Sequence, residues 1–423
     1  MTQIKEVLMD LNPWWKGEFN VDFKERKLYW ELKKFLPLPH IIALTGLRRV
    51  GKTTLMHKIV QDYLASGIDP RNVVYFSFDE LQKSEIRQVI QTYEALNDKS
   101  LRTGKYLVLL DEIQKLDNWE NQLKTVYDAF GKNVKIIISG SESLFFRKKS
   151  RETLAGRMFE FEVTPLSFAE FLDFKEIKLA PVSLYERELS KLLWEFTKTE
   201  GFPELVNVSE KSIIKKYVRE SIVEKVIYRD LPQLVKIEDP AALETLLNIL
   251  MEEPGQLIET ASLASELKTS RQTISSYLGY LQDCFLLKKL YNYSKSRRKV
   301  ERKLKKYYPT IISPDLLFRE DDLSKSRVFE WLAVSQLKPE FFWRDSFKNE
   351  VDIIMTKGKE NIPIEVKYGK IDTIGLNVFM KKNTLKNGYV ISNNEERQIK
   401  KEGTTISVIP AHRYFLTKQT EKE

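Results

Sequence analysis

The stretch Ile41-Ile-Ala-Leu-Thr-Gly46-Leu-Arg-Arg-Val-Gly51-Lys52-Thr53-Thr54 decides how the first half of this chain folds. An apolar run ends in a glycine turn, and a helix-like stretch follows from Lys52 to Leu64. That is strand, loop, helix. Gly46 to Thr53 fits the pattern GxxxxGK[ST], and it stands where a phosphate-cradling loop must stand, between a buried strand and a helix start. The glycines let the backbone wrap an anion, and the helix N-terminus adds positive potential there. Gly46, Leu47, Arg48, Arg49, Val50, Gly51, Lys52, Thr53 and Thr54 are therefore the expected nucleotide-binding residues. Lys52 is expected to reach the β and γ phosphates of ATP, and Thr53 to place its hydroxyl on Mg2+.

Further apolar runs recur at Val73 to Phe78, Tyr106 to Leu110, Val134 to Ile138 and Phe159 to Val163, most of them separated by helix-length segments. Continuous rather than alternating apolarity is what strands covered on both faces require, so this half reads as a helix-covered parallel α/β sheet. The run Tyr106 to Leu110 delivers Asp111 and Glu112 at its C-terminal end, where ligands collect in open parallel sheets. Asp111 is expected to hold Mg2+ through its water shell and Glu112 to orient and polarise the attacking water. Ser139 ends another strand and is a candidate to touch the γ-phosphate or the water.

Composition bounds what else the chain can be. Its 423 residues allow two to four domains, and 42% hydrophobic with 30% charged residues excludes collagen-like or wholly disordered classes. Cys284 is the only cysteine, so no disulfide framework exists, and with His40, His57 and His412 it makes a poor structural zinc set. A reducing cytoplasm is the expected location. No apolar run approaches the roughly 20 residues a bilayer needs, and the start lacks a secretion signal, so neither membrane insertion nor export is expected. Lys and Arg exceed Asp and Glu, 69 against 60, which points to a polyanion only where the excess is clustered.

An ordered set of short segments adds a family resemblance: Asn12-Pro-Trp-Trp15, Gly46 to Thr54, Asp111-Glu-Ile-Gln114, Ile138-Ser-Gly-Ser141, Leu154-Ala-Gly-Arg157, Pro165-Leu-Ser-Phe168 with Glu170-Phe171, and Gly201-Phe-Pro-Glu204. Over most of the first 240 residues the chain resembles the AAA+ ATPases. It is most similar to archaeal and bacterial members with a restriction-endonuclease-like C-terminal domain. The resemblance implies ATP hydrolysis in a homo-oligomer, a ring in many such proteins, with an arginine of one subunit completing its neighbour's site. Arg157, just before the last core strand, matches that position, with Arg147 and Arg151 as fallbacks. No arginine is assigned to a second sensor.

Beyond Pro165 the pattern turns helical, with Glu186 to Thr197 and Ser212 to Tyr228 clearest, and a short all-helical module then runs to about Lys289. Within it Leu257 to Leu290 reads as a winged helix. Ser262 to Leu267 is a short helix, Ser270 an N-cap, and Arg271 to Asp283 a second helix with Ile274, Leu278 and Leu281 inward. Arg271, Gln272 and Thr273 are then left for DNA base edges or phosphates. A basic run follows, from Lys295 through Arg297, Arg298, Lys299, Arg302, Lys303 and Lys305 to Lys306. It is interleaved with Tyr291, Tyr293, Tyr307 and Tyr308, which can stack on exposed bases.

Asp352 and the pair Glu365 and Lys367 lie on two apolar runs, Val351 to Ile354 and Ile362 to Val366. Strand alternation puts Glu365 and Lys367 on one side, where they can share a site with Asp352. Two carboxylates on Mg2+ beside a lysine suit phosphodiester hydrolysis. The pattern resembles the PD-(D/E)xK nucleases, and Glu330 matches that family's preceding acid.

The expected fold class is α/β. It comprises an N-terminal arm (1–35), a P-loop AAA+ parallel sheet (36–170), a helical lid (171–240), a winged helix (241–290), and a basic linker with an α/β nuclease-like domain (291–423). The expected function is an ATPase that couples nucleotide state to binding or remodelling of DNA, branched or junction DNA included. Two alternatives stand beside it. One is a nucleotide-controlled switch holding a protein partner, with an inactive nuclease-like domain; the other is an ATP-gated, Mg2+-dependent nuclease.

Overall fold

The computed structural model describes residues 2–81, 84–131, 133–141, 153–358, 360–401 and 403–420. The chain forms two compact units that divide at Pro165 and Leu166.

The first unit is built on five parallel strands: β1 (Ile41–Thr45), β2 (Val73–Ser77), β3 (Tyr106–Asp111), β4 (Val134–Gly140) and β5 (Met158–Glu162), in the order β2-β3-β4-β1-β5. Strands β1, β2 and β3 are buried at every residue, as their unbroken apolar runs require. The helices Lys52–Ala65, Ile86–Asn97 and Trp119–Phe130 connect successive strands. Trp119, Leu123 and Val126 of the last pack with Val89, Ile90 and Tyr93 of the second and with Val108, Leu110, Ile136 and Ile138 of the sheet. Each such fully buried large apolar side chain contributes roughly 1.5–3 kcal/mol.

The Asn12-Pro-Trp-Trp15 segment has a local structural task. Strand β2 is an edge of the sheet, and its free backbone groups need partners. The Asn12 side-chain amide donates to the Tyr75 carbonyl at 2.8 Å and accepts from the Tyr75 N–H at 2.7 Å, as a neighbouring strand would. The indoles of Trp14 and Trp15 both donate to the Val73 carbonyl, at 3.0 and 2.9 Å.

The second unit opens with helix Phe168–Phe174. Its Ser167 cap and Glu170 satisfy each other's backbone N–H groups, which accounts for the Pro165-Leu-Ser-Phe168/Glu170 pattern. Helix Glu186–Thr199 follows, then a helical segment from Lys211 to Leu234 with wide π turns over Tyr217–Val223 and Val226–Asp230.

The module after Pro240 is not all helical. Two strands, β6 (Gln256–Ile258) and β7 (Leu287–Asn292), flank its helices Thr260–Glu266 and Arg271–Asp283, and β8 (Lys305–Pro309) pairs antiparallel with both. These strands continue into the C-terminal sheet. β7 pairs in parallel with β9 (Phe341–Arg344), and β10 (Glu350–Lys357), β11 (Glu360–Lys367), β12 (Asn387–Ser392), β13 (Arg397–Lys401) and β14 (Thr404–Pro410) complete it. The nine strands run β13-β14-β12-β11-β10-β9-β7-β8-β6. Helix Asp322–Leu337 buries Phe329, Leu332 and Ala333 with Ile353, Ile364 and Val366 of this sheet. Among the described residues no helix is long and apolar enough to cross a membrane.

Candidate functional site

The loop after β1 has the backbone its motif demands. Gly46 adopts φ +140°, and a Cβ there would stand 2.1 Å from the Val163 carbonyl oxygen. Gly51 (φ +97°) caps helix Lys52–Ala65, and Arg49 (φ +63°) takes the left-handed conformation at a cost that a non-glycine residue bears. Leu47 and Val50 turn inward, Arg48 is half-buried, and Arg49, Thr53 and Thr54 are exposed. Lys52 is buried, with its ammonium donating to the carbonyls of Gly46 at 2.9 Å and Leu47 at 3.0 Å. A cation is thus held within the curve of the loop, at the positive end of a helix.

Strand β4 separates β1 from β3, and side chains of the helix after β1, of β2 and of β4 converge on Asp111 at the end of β3. Thr53 Oγ1 donates to Asp111 Oδ2 at 2.8 Å, and the Tyr75 hydroxyl, from β2, donates to the same oxygen at 2.6 Å. Ser139, fully buried on β4, donates to Asp111 Oδ1 and accepts from the Glu112 N–H at 3.2 Å, so its hydroxyl is engaged in orienting the acidic pair. Burial, reinforced by the Asp111 charge, pushes the Tyr75 phenol far above its usual range and keeps it a donor. Burial lowers the His57 pKa, with Asp111 opposing, and its ring lies 4.9 Å from that of Tyr75. One hydroxyl and one carboxylate beside a phosphate loop fit Mg2+, which keeps several of its waters and takes few protein ligands.

Glu112 leaves the strand with φ +53°. Its Oε2 accepts from Gln114 Nε2 at 2.6 Å and from Ser141 Oγ at 3.3 Å, and Gln114 also donates to Ser141 at 3.2 Å. Asp111-Glu-Ile-Gln114 and Ile138-Ser-Gly-Ser141 are therefore one hydrogen-bonded cluster.

Arg157 stands at the other end of the sheet. It precedes β5, whose first residue Met158 pairs with Ile41 at the start of β1, and its Nε pairs with Asp128 at 3.2 Å. The five residues of β1 span about 16 Å at roughly 3.3 Å each, so Arg157 and the loop lie at opposite ends of one strand pair. Arg147 and Arg151 lie outside the described residues.

In the second unit Ser270 caps helix Arg271–Asp283 by accepting from the Thr273 N–H at 3.0 Å, and Ile274, Leu278 and Leu281 are buried. Arg271 and Gln272 are exposed and Thr273 is half-buried, and Lys295, Arg298 and Lys299 are exposed. The side chain of Arg297 lies outside the described residues. The end of the basic run departs from expectation. Lys306 is only 4% exposed, Tyr307 8% and Tyr308 2%, so neither tyrosine presents a face on which a base could stack.

Lys306 instead joins the acidic residues. Its ammonium lies 3.1 Å from Glu330, 2.5 Å from Glu350 and 3.9 Å from Asp352. The Tyr308 hydroxyl donates to Glu330 at 2.6 Å, and Arg344 pairs with Glu350 at 3.3 Å. The β10–β11 register, Ile353 with Ile364, sets Asp352 beside Glu365, and Glu365 pairs with Lys367 at 2.7 Å. Glu330, Asp352, Glu365 and Lys367 are thus brought together. Burial, with the Glu365 and Glu330 charges, drives the Asp352 carboxyl well above the usual carboxylate range. Burial also raises Glu365, against the pull of Lys367. At Glu330 burial is outweighed by Lys306 and Tyr308, and its pKa falls. Among the described residues no group of three or more His, Cys, Asp or Glu is disposed to hold a metal ion.

Residues 39–172 match a family model described as an AAA domain. Residues 191–310 and 328–414 match models described as domains of unknown function, DUF8612 and DUF4143. The uncharacterized protein MJ1637 of Methanocaldococcus jannaschii is 30% identical over 328 residues, which are 71% of this chain and 67% of that protein. The chain belongs to the same family as MJ1637. An uncharacterized protein of Haemophilus influenzae is 28% identical over 270 residues, 62% of this chain, and this chain spans 65% of its length. The crystal structure of Cdc6p from Pyrobaculum aerophilum is matched over 76% of this chain and 98% of its own, at 12% identity and a TM-score of 0.32.

The first unit of this MJ1637 relative is a P-loop ATPase fold of the AAA type, and a further α/β region follows. Sequence reasoning passed over several residues of its sites. Arg26, in the expected N-terminal arm, is buried and donates to the Val50 carbonyl at 3.0 Å and the Thr164 carbonyl at 2.8 Å. Tyr75 reaches Asp111 from an edge strand, and Gln114 and Ser141 carried a resemblance without an assigned role. Nothing local marks Arg26 or Tyr75. For Lys306, a strand pattern running through a charge cluster was the available signal.

Proposed function

We propose that this protein hydrolyses ATP as an oligomer and couples its nucleotide state to DNA, branched or junction forms included, in the reducing cytoplasm. The observation that carries the reading is the meeting of Thr53 and Asp111 at 2.8 Å beside the glycine-turned loop that holds Lys52. Residues Gly46 to Thr54 bind the triphosphate, and Lys52 neutralises its outer phosphates. Thr53 and Asp111 are the residues that would hold Mg2+, which would supply positive charge to offset that of the phosphates. Glu112, oriented by Gln114 and Ser141, accepts the proton of the attacking water. Arg157 lies too far along β1 to serve its own site, which is why we assign it to a neighbouring copy, where a guanidinium stabilises transition-state charge. The exposed Arg271, Gln272, Lys295, Arg298 and Lys299, with Thr273 and Arg297, form the DNA-contacting set of a winged helix, whose cations neutralise phosphates.

The test is ATP turnover with Mg2+ measured without DNA and with duplex, single strands and a four-way junction, beside gel-shift binding across a salt series. Lys52→Ala should weaken nucleotide binding, and Glu112→Gln should bind ATP but scarcely turn it over. Mixing Arg157→Ala with Glu112→Gln subunits should restore part of the activity. A chain that consumes no ATP at any concentration removes the ATPase reading, and one that shifts no DNA at low salt removes the DNA reading.

A further inference from the structure

The carboxylate cluster of the second unit goes beyond the ATPase reading and is argued without it. Four carboxylates, Glu330, Glu350, Asp352 and Glu365, converge at the junction of β8, β10, β11 and helix Asp322–Leu337. A metal-dependent hydrolase would place its divalent ion between Glu330, Asp352 and Glu365. Two of these three carboxylates, Glu330 and Asp352, already face a cation. The Lys306 ammonium contacts Glu330 and Glu350 directly and faces Asp352 Oδ1, and the stem that carries it is buried, with the ammonium 5.5 Å from the centre of the Phe342 ring.

Several of the remaining oxygens are engaged by the protein itself. Asp352 Oδ2 accepts the backbone N–H of Val366 at 2.9 Å, which belongs to the neighbouring strand. One Glu330 oxygen takes both Lys306 and Tyr308, at 3.1 and 2.6 Å. Glu365 is held on one side by Lys367, while its Oε2 is buried with no hydrogen-bond partner. A divalent ion would therefore have to be bound by few available oxygens, beside two ammonium groups that repel it. The donor set does not fit the metal that the sequence pattern implies, which agrees with the lack of any three-carboxylate metal arrangement among the described residues.

We propose that Lys306 is the resident cation of this cluster. Its ammonium occupies the place of the divalent metal, so the site binds neither Mg2+ nor Mn2+ and instead fastens strand β8 to β10 and to helix Asp322–Leu337. The lysine is the last of the basic run and stands on β8, so the same segment that supplies cations to the surface supplies one to the interior.

The experiment is a Mn2+ titration of the full chain without nucleotide, read by electron paramagnetic resonance of free Mn2+. Wild type, Asp352→Asn and Glu365→Gln should bind the same number of ions, because any ion at Thr53 and Asp111 is common to all three. Lys306→Met should gain one Mn2+ per chain, Lys306→Arg none, and Lys306→Met/Asp352→Asn should lose the gain. A wild-type chain that binds one ion more than Asp352→Asn or Glu365→Gln overturns the proposal, as does a folded Lys306→Met chain that gains none. Should Lys306→Met not fold, the comparison of wild type with the two carboxylate variants decides alone. Failure of ATP turnover would leave these counts unchanged, so the two readings fail separately.

Discussion

Arg26 Nη1 donates to the carbonyl of Val50 at 3.0 Å, joining a residue before the first core strand to the middle of the phosphate loop. Its second nitrogen holds the Thr164 carbonyl, so one guanidinium spans the loop and the exit of β5. Hydrogen bonds to a charged donor contribute about 1.5–3 kcal/mol each when buried. Arg26→Ala should therefore weaken nucleotide binding about tenfold or more and lower the melting temperature. Fluorescent-nucleotide titration checks it, and unchanged affinity in a folded variant would show that the loop needs no such brace.

Gly46→Ala is expected to abolish nucleotide binding. The added methyl would meet the Val163 carbonyl at 2.1 Å in a backbone conformation alanine avoids, so the loop must move or the strand pair must open. Gly156→Ala also adds a side chain at positive φ but meets nothing within 4 Å, so it should bind nucleotide normally and serves as the control.

Tyr75→Phe removes a buried donor to Asp111 and leaves the ring in place. The freed carboxylate oxygen keeps Thr53 alone. The Mg2+ concentration for half-maximal turnover should shift several-fold, while nucleotide affinity measured in excess chelator stays at the wild-type value. A shift in chelator-insensitive affinity of equal size would instead mean that Tyr75 supports the loop.

Glu200 provides a pH test. Burial raises its carboxyl to about 8 from 4.5, opposed by the hydrogen bond from the Ile312 N–H. The folded state thus keeps a proton that the unfolded chain has released, so stability falls as pH rises from 4.5 through 8. Glu200→Gln carries no charge at any of these values. Its melting temperature should exceed that of wild type by more at pH 8 than at pH 5, and a constant difference would refute the burial argument.

Much of the first unit could be read in the residues because its signals are local. Apolar strands, the glycine-turned loop and the acidic pair each occupy a few consecutive positions, and all five strands form within a residue or two of the expected runs. Helix Arg271–Asp283 and its Ser270 cap were legible for the same reason. What escaped is what distance along the chain conceals. Arg26 acts across 138 positions on Thr164, and Tyr75 across 36 on Asp111. Lys306 looked like one cation among eight because composition records charge but not direction. In a strand its side chain leaves the surface that Lys295, Arg298 and Lys299 share, and 24 positions further on Glu330 receives it.

The parallel pairing of β7 with β9 has a mechanical outcome. Tyr291 and Tyr293 donate their N–H groups to the Glu340 and Phe342 carbonyls at 2.9 and 2.7 Å, and Asn292 reaches the Arg344 carbonyl at 2.9 Å. Helix Arg271–Asp283 leads into β7, so the helical module and the C-terminal strands share one sheet through backbone hydrogen bonds. Ordering at either end of that sheet is therefore coupled to the other through continuous strand pairing from β6 to β13.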